Sequence, residues 1–266
     1  MTFGPQAADK GAADESRGAA QAYVHHAKVT AGASGGILAV AVPAPPMPPT
    51  NRRLAAMLRR IRRHLEGSEL PIVTLIAETE RDPFKVLVST ILSARTKDEA
   101  TAGATRRLFD AASTPEEIGA LSLPELERLI FPVGFYRTKA KNLKLAMSVL
   151  RERFGGEVPR TVEELVELPG VGRKTANLVV TEGFRRPGIC VDTHVHRITN
   201  LWGYVDTKTP FETEMALRTK LPRGQWIGLN KTLVSFGQKL CLPVSPWCSR
   251  CPVEEWCPKL GVGRSR

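Results

Sequence analysis

Four hydroxyl side chains in this sequence each stand three residues ahead of a glutamate. They open the segments Thr114–Glu117, Ser122–Glu125, Thr161–Glu164 and Thr209–Glu212. In such a capping box, the hydroxyl and the carboxylate satisfy backbone N–H groups that the start of a helix leaves unpaired. Helices are therefore predicted to begin at these four places. Glycines at 155–156, 183 and 203 stand where helices are expected to end.

Apolar residues recur at spacings of three and four in other parts of the chain. One such stripe consists of Leu54, Met57, Leu58, Ile61 and Leu65, and the positions around it carry six arginines. A second stripe consists of Phe84, Leu87, Val88, Ile91 and Leu92. This spacing is typical of amphipathic helices. Since no segment alternates apolar and polar residues long enough to predict a strand, the fold is predicted to be all-α.

The first 50 residues differ from the rest in composition. They are rich in Ala and Gly and end in the proline-rich run PAPPMPP. Because such a segment lacks apolar periodicity, we expect residues 1–50 to be a disordered extension. No apolar run is long enough to cross a bilayer and no signal-peptide pattern is present, so we expect a cytoplasmic protein that makes no contact with membranes.

The charge balance is strongly positive. The 38 Lys and Arg residues exceed the 27 Asp and Glu residues, which gives a formal net charge of +11. A surplus of this size is typical of proteins that meet a polyanion, and nucleic acid is the leading candidate. Charge alone fits a generally basic protein about as well.

The segment LPGVGRKTAN, residues 168–177, places two glycines between two helical segments. A glycine pair permits a tight turn with positive φ, and the start of the next helix suits one phosphate. The spacing GxxxxGK[ST] and the preceding strand of a nucleotide-binding loop are both missing. An ordinary turn between two helices is the alternative interpretation.

A carboxylate follows this segment at a second expected helix start. Asp192, in VDTHVHR, comes 18 residues after Lys174. A lysine with a nearby carboxylate can act as an amine nucleophile, and a neighbouring cation such as Arg173 favours its neutral form. Lys174 could also be a plain phosphate contact and Asp192 a helix N-cap. His194 and His196 have no partner visible in the sequence, and we interpret them as structural or DNA-facing.

Four of the five cysteines are crowded near the end of the chain. Cys241, Cys248, Cys251 and Cys257 have the spacing C-x6-C-x2-C-x5-C. Four thiolates on a short segment can hold a 4Fe-4S cluster or a tetrahedral zinc ion. Cys190 lies outside this set, and we interpret it as a small buried hydrophobic residue.

The segments LPGVGRKTAN and VDTHVHR and the cysteine spacing together resemble endonuclease III, a helix-hairpin-helix DNA glycosylase and AP lyase, from about Arg52 to Lys259. The resemblance implies a two-lobed fold, with a six-helix domain over 76–186 and a cluster domain formed by 51–75 and 187–266. It also implies that the four clustered cysteines hold a 4Fe-4S cluster. Damaged double-stranded DNA would bind between the lobes of a monomer, at the nucleoid in a prokaryotic cell.

The same resemblance implies roles for single residues. Lys174 would attack C1′ of a flipped nucleotide, and Asp192 would stabilise the cationic sugar. DNA contacts would come from Arg95, Phe135, Gly170, Val171, Gly172 and Arg173. Phe135, in VGFYRTKA, would be the intercalating wedge, whereas a core position is the other reading of this aromatic. Arg95, in ILSARTKD, stands where the family usually has glutamine.

The implied activity is removal of oxidised pyrimidines from duplex DNA and cleavage of the abasic site by β-elimination, in base excision repair. Two alternatives remain at this point. One is a catalytically silent iron-sulfur protein that binds DNA, which would have no need of Lys174. The other is a thymine-mismatch or alkyl-base glycosylase of the same fold, while an adenine glycosylase ranks low.

Overall fold

The structure is a computed structural model that describes residues 46–67 and 69–266. The extension predicted over 1–50 lies outside the described residues up to residue 45. Residues 46–50 form no helix or strand and lead directly into the first helix. Pro49 is buried, and the Thr50 hydroxyl accepts a hydrogen bond from the Arg53 N–H at 3.3 Å. This last stretch of the proline-rich run is therefore part of the folded body.

The described residues form helices and no strands, which confirms the all-α prediction. The α-helices are α1 (Asn51–His64), α2 (Ile72–Glu80), α3 (Pro83–Ser93), α4 (Asp98–Ala111), α5 (Pro115–Ala120), α6 (Leu123–Ile130), α7 (Tyr136–Phe154), α8 (Val162–Leu165), α9 (Arg173–Leu178), α10 (Thr193–Leu201), α11 (Pro210–Lys220) and α12 (Leu229–Lys239). A π-helical turn over Val179–Gly183 follows α9, and short 3₁₀ turns lie at Arg223–Gln225, Cys248–Arg250 and Glu254–Trp256. None of these helices has both the length and the apolar character needed to cross a membrane.

Helices begin at all four hydroxyls that the sequence marked as caps. Thr114 forms the full reciprocal box, because the Glu117 carboxylate also accepts from the Thr114 N–H at 3.2 Å. At Thr209 the hydroxyl caps in the same way, but the Glu212 carboxylate accepts from the Lys208 N–H instead. The hydroxyl caps the helix in both cases, whereas the backbone N–H that the carboxylate accepts from differs.

Two hydrophobic cores organise the described residues. The first is built from α2 to α9 and includes Leu87, Leu108, Leu126, Met147 and Leu165. The second joins the apolar stripe of α1 to α10, α11, α12 and the cysteine segment, and includes Leu54, Ile61, Trp202, Leu233 and Phe236. The domain boundaries at 76 and 186 stay a prediction.

The chain passes from one core to the other immediately before Asp192. Cys190 packs in the first core, whereas Ile189 and Val191 pack in the second. Both cores therefore hold the backbone that leads to Asp192, and the start of α10 lies where they meet.

Candidate active site

Residues 168–173 make a tight turn between α8 and α9. The Val171 N–H donates to the Leu168 carbonyl at 3.0 Å, and Gly170 has a φ of 83°, in the left-handed region that favours glycine. Gly172 has a φ of −87°, so the expectation of positive φ holds for only one of the two glycines. Gly172 instead leaves the start of α9 without a side-chain cap.

Val171 has few groups that are free to contact DNA. Its side chain is buried, and its N–H is used inside the turn. Of the polar groups of Val171, only the carbonyl oxygen remains for the predicted DNA contact. Gly170 and Gly172 are both exposed on this turn.

Arg173 is paired with a buried carboxylate, Glu214 of α11. Its Nε and Nη2 donate to the two Glu214 oxygens at 3.0 Å each. Glu214 is only 4% exposed and also accepts from Arg218 at 2.9 Å and from the Asn177 amide at 3.2 Å. Glu214 therefore offsets part of the Arg173 charge next to Lys174, a contact that the expectation of a neighbouring cation did not include. Sequence reasoning missed Glu214, which lies 41 residues away.

The structure brings Lys174 and Asp192 to one site. Lys174 is exposed in the first turn of α9. The Cys190 thiol donates to the Lys174 carbonyl at 3.5 Å, which holds the segment before Asp192 against this helix. The pKa of the Cys190 thiol is lowered by the charge of Lys174 and raised by that of Asp192, beside the larger effect of burial, so both side chains lie near this thiol.

Asp192 is the N-cap of α10, and only one of its two carboxylate oxygens takes part in the cap. Its Oδ1 accepts from the N–H groups of His194 and Val195, at 3.0 and 2.9 Å. Among the residues that the structure describes, none donates a hydrogen bond to Oδ2. The cap fixes the carboxylate at the start of α10 and leaves this second oxygen available to a substrate.

Three further side chains, those of Cys190, His194 and His196, lie next to Lys174 and Asp192 in the chain or in the fold. Cys190 is 2% exposed, as predicted, and burial raises the pKa of its thiol against the opposing charge of Lys174. Burial lowers the pKa of His194, and Asp192 opposes this shift. His196 makes a 2.6 Å hydrogen bond to the Thr213 hydroxyl, which gives it a structural role.

Arg95 and Phe135 meet on the surface. The Arg95 guanidinium lies 4.8 Å from the centre of the Phe135 ring, and Phe135 is 60% exposed, which excludes a core position. Both residues have left-handed backbones, with φ of 55° and 58°. Since two non-glycine residues bear this uncommon conformation side by side, the two loops hold them in a defined arrangement.

The four C-terminal cysteines line one cavity, walled by Trp202, Phe236 and Leu240. Within the described residues, no three metal-ligating side chains are drawn together tightly enough to form a ready-made metal site. Burial raises the pKa of Cys251 to about 11 and that of Cys257 to about 12, so these sulfurs become thiolates only beside a compensating cation. An all-sulfur donor set in an apolar cavity fits an iron-sulfur cluster or zinc. Arg197 of α10 donates to the Cys241 sulfur at 3.5 Å.

Comparisons with known proteins identify the relatives of this chain. The family model for HhH-GPD superfamily base excision DNA repair proteins matches residues 88–223. Endonuclease III of Thermotoga maritima is 47% identical over 178 residues, which cover 67% of this chain and 84% of that protein. Endonuclease III-like protein 1 of Gallus gallus is 40% identical over 225 residues, covering 81% of this chain and 80% of that protein.

Solved structures show the same fold. A trapped endonuclease III-DNA covalent intermediate has a TM-score of 0.70 at 34% identity, and the match covers 79% of this chain and 96% of that chain. A thermostable thymine-DNA glycosylase has a TM-score of 0.67 at 24% identity, over 78% of this chain and 96% of that one, and shares the fold alone. The all-helical architecture, the superfamily match and the identity to its relatives show that this chain belongs to the endonuclease III family of the HhH-GPD superfamily.

Proposed function

We propose that this endonuclease III works through Lys174 as nucleophile and Asp192 as electrostatic partner. As a member of the family, the protein is a DNA N-glycosylase and AP lyase that acts on oxidised pyrimidines in base excision repair. The observation that carries the assignment of residues is the convergence of two helix starts. The exposed amine of α9 and the cap of α10 both lie near the Cys190 thiol, which donates to the Lys174 carbonyl at 3.5 Å.

The chemistry begins with the Lys174 amine. A neutral amine attacks C1′ of the flipped nucleotide, so that the N–C1′ bond forms as the glycosidic bond breaks and the base leaves with its electron pair. The sugar ring then opens: the C1′–O4′ bond breaks, O4′ takes up a proton as the lysine nitrogen loses one, and a C1′=N Schiff base forms. This Schiff base makes the C2′ protons acidic. Loss of one of these protons expels the 3′ phosphate oxygen, and water then releases the lysine.

Asp192 supports these steps through its free oxygen. Positive charge develops on the sugar as the glycosidic bond breaks, and a fixed carboxylate stabilises that charge most when it needs no reorganisation. The two N–H groups that hold Oδ1 supply this fixed orientation. We infer that the N-cap and the catalytic role are the same arrangement.

DNA contact is assigned to the exposed residues around this site. Taking a nucleotide out of the stack costs on the order of a few kcal/mol, and a side chain has to fill the space that it leaves. Phe135 and Arg95 are exposed and adjacent, which suits them to that task. Gly170, Val171 and Gly172 of the turn would lie along the sugar-phosphate backbone of the DNA. Arg173 is held by Glu214, so we propose that it positions α9 and contacts DNA only with its exposed part.

Cys241, Cys248, Cys251 and Cys257 are the residues that would hold a 4Fe-4S cluster. When bound, the cluster supplies a rigid centre for the segment between Cys241 and Cys257, and no step of base removal passes through it. Arg197 then connects this segment to α10, the helix that Asp192 caps.

Borohydride trapping of the Schiff base tests the assignment. Duplexes with thymine glycol or an abasic site are incubated with the wild type, with Lys174→Ala, and with Lys141→Ala as a control at an exposed lysine of α7. Lys174→Ala should lose the covalent adduct and keep DNA binding, while the control keeps both. An undiminished adduct in Lys174→Ala would refute the nucleophile, and a wild type without any adduct would favour a catalytically silent binding protein.

A further inference from the structure

Lys139 of α7 is a buried lysine that the mechanism above does not use. Its side chain points at the end of α3, and the residue is 9% exposed. The Nζ donates to the carbonyls of Leu92 and Ala94, at 2.7 and 2.5 Å, and to the Thr96 hydroxyl at 3.0 Å. An ammonium group has three N–H donors, so all three are used.

These contacts have a clear physical cause. The last carbonyls of a helix have no partner inside the helix and carry a partial negative charge. Lys139 gives the end of α3 both donors and a positive charge, from 45 to 47 residues further along the chain. Burial lowers the pKa of Lys139 to about 8, so at neutral pH the three contacts hold a charged group that its surroundings otherwise disfavour.

The same residue connects the loop of Arg95 with that of Phe135. Thr96 Oγ1, which accepts from Lys139, also accepts from the Gly134 N–H at 3.1 Å. The Lys139 N–H itself donates to the Phe135 carbonyl at 3.0 Å. The side chain of Lys139 therefore holds one loop, and its backbone holds the other.

The two loops are also in very close contact. A Cβ on Gly134 would stand 2.6 Å from the Arg95 carbonyl oxygen, so only glycine permits this approach. Between these fixed backbones, the Arg95 guanidinium covers the Phe135 ring at 4.8 Å. Any relative movement of the loops would separate these two side chains.

We propose that Lys139 is a positioning residue, which joins the Arg95 loop and the Phe135 loop into one rigid wedge for opening duplex DNA. The inference rests on the proposed function, in which these two side chains fill the space left by a flipped nucleotide. Lys139 touches neither DNA nor the reacting atoms. It acts by keeping the two side chains at a fixed separation, which matters when a base has to be extruded.

The chain offers a matched control on the same helix. Lys144 of α7 donates to the carbonyls of Gly119, at 2.6 Å, and of Leu121, at the end of α5. It makes the same kind of contact as Lys139 but away from Arg95 and Phe135. Lys144→Met therefore reports how the loss of such a buried lysine affects the stability of the fold. Lys139→Met reports the same effect together with the loss of the connection between the two loops.

Two substrates separate positioning from general damage. One is a duplex with thymine glycol, in which a nucleotide has to be extruded. The other is a single-stranded abasic oligonucleotide, which needs only the Lys174 chemistry. In single-turnover assays, Lys139→Met should slow base release from the duplex at least about tenfold more than it slows β-elimination on the single strand, since small misplacements are costly in positioned reactions. Lys144→Met should change both rates by the same factor, and Lys139→Arg should restore part of the loss.

A second readout reports on the opened duplex itself. The fluorescence of 2-aminopurine opposite the lesion should rise when wild type binds, and rise less with Lys139→Met. Thr96→Val removes the acceptor that both loops share, and it should show the same selective loss if Lys139→Met does not fold. Equal slowing of the two reactions in the folded variants would overturn the proposal. Wild type without β-elimination on the single strand would instead overturn the proposed function.

Discussion

Glu214→Gln is expected to weaken both the stability of the protein and its catalysis. Glu214 is a buried carboxylate that accepts hydrogen bonds from Arg173, Arg218 and Asn177. Glutamine keeps the shape but removes the charge, and its amide presents donors where the guanidinium groups need acceptors. Two arginines then face each other without a counter-charge, next to the helix that carries Lys174.

The size of the effect follows from the exposure of the partners. Removing one member of a buried ion pair costs about 3–5 kcal/mol. The Arg173 and Arg218 side chains are 37% and 28% exposed, so water screens part of their charge. We therefore expect a loss of about 2–3 kcal/mol in the free energy of unfolding. In a chain of this size, that lowers Tm by about 4–12 °C.

Thermal unfolding and single-turnover base release measure the two consequences. Glu152→Gln, at an exposed carboxylate of α7, controls for the loss of one negative charge. A Tm for Glu214→Gln within about 2 °C of the control would refute the energetic argument. A normal rate of base release in a destabilised but folded variant would show that Arg173 does not position Lys174.

Four further results are expected. Asp192→Asn should retain the cap of α10 but slow base release about 10²–10³-fold, because the missing charge served a developing cation; wild-type turnover would leave Asp192 a cap only. Denaturant titrations should show that the free energy of unfolding of the wild type, relative to that of Lys139→Met, rises by roughly 1–3 kcal/mol between pH 8 and 10.5. In this range the native lysine has lost its proton while the lysine of the unfolded chain still carries one. A relative stability that falls over this range would contradict the prediction. Arg95→Gln should narrow a preference for lesions opposite guanine, or lower the salt slope of binding by about 0.9 if Arg95 holds a phosphate; unchanged values for both would remove Arg95 from the interface. Protein prepared anaerobically should contain about four iron atoms per chain, and stoichiometric zinc in their place would overturn the cluster.

Local features of this protein were accessible from the sequence because their causes are local. The hydroxyl caps act within one turn of chain, and the apolar stripes follow helical geometry, so both predicted the helices. The turn at 168–173 was visible for the same reason. The sequence could not show that Gly172 lacks a positive φ, or that the Val171 N–H is hydrogen-bonded inside the turn, because both depend on the detailed path of the backbone.

Contacts between distant residues account for what was missed. Glu214 and Lys139 meet their partners across about 40 residues, and neither has a spacing that distinguishes it from a surface charge. The stacking of Arg95 on Phe135 depends on two loops that only tertiary packing brings together. The cysteine spacing predicted a metal centre, but the apolar cavity around it comes from α10 and α12.

The position of α1 affects the order in which a new chain can fold. This helix is made before the residues of the first core, yet the other buried members of the second core begin only at Ile189. At about 5–20 residues per second, the ribosome takes roughly 6–25 seconds to synthesise the residues from His64 to Ile189. During that time the first core can close, while Leu54, Met57, Leu58 and Ile61 have no native partner. The exposed arginines on the other face of α1 then protect the nascent chain, because charged neighbours oppose the self-association of an uncovered apolar surface.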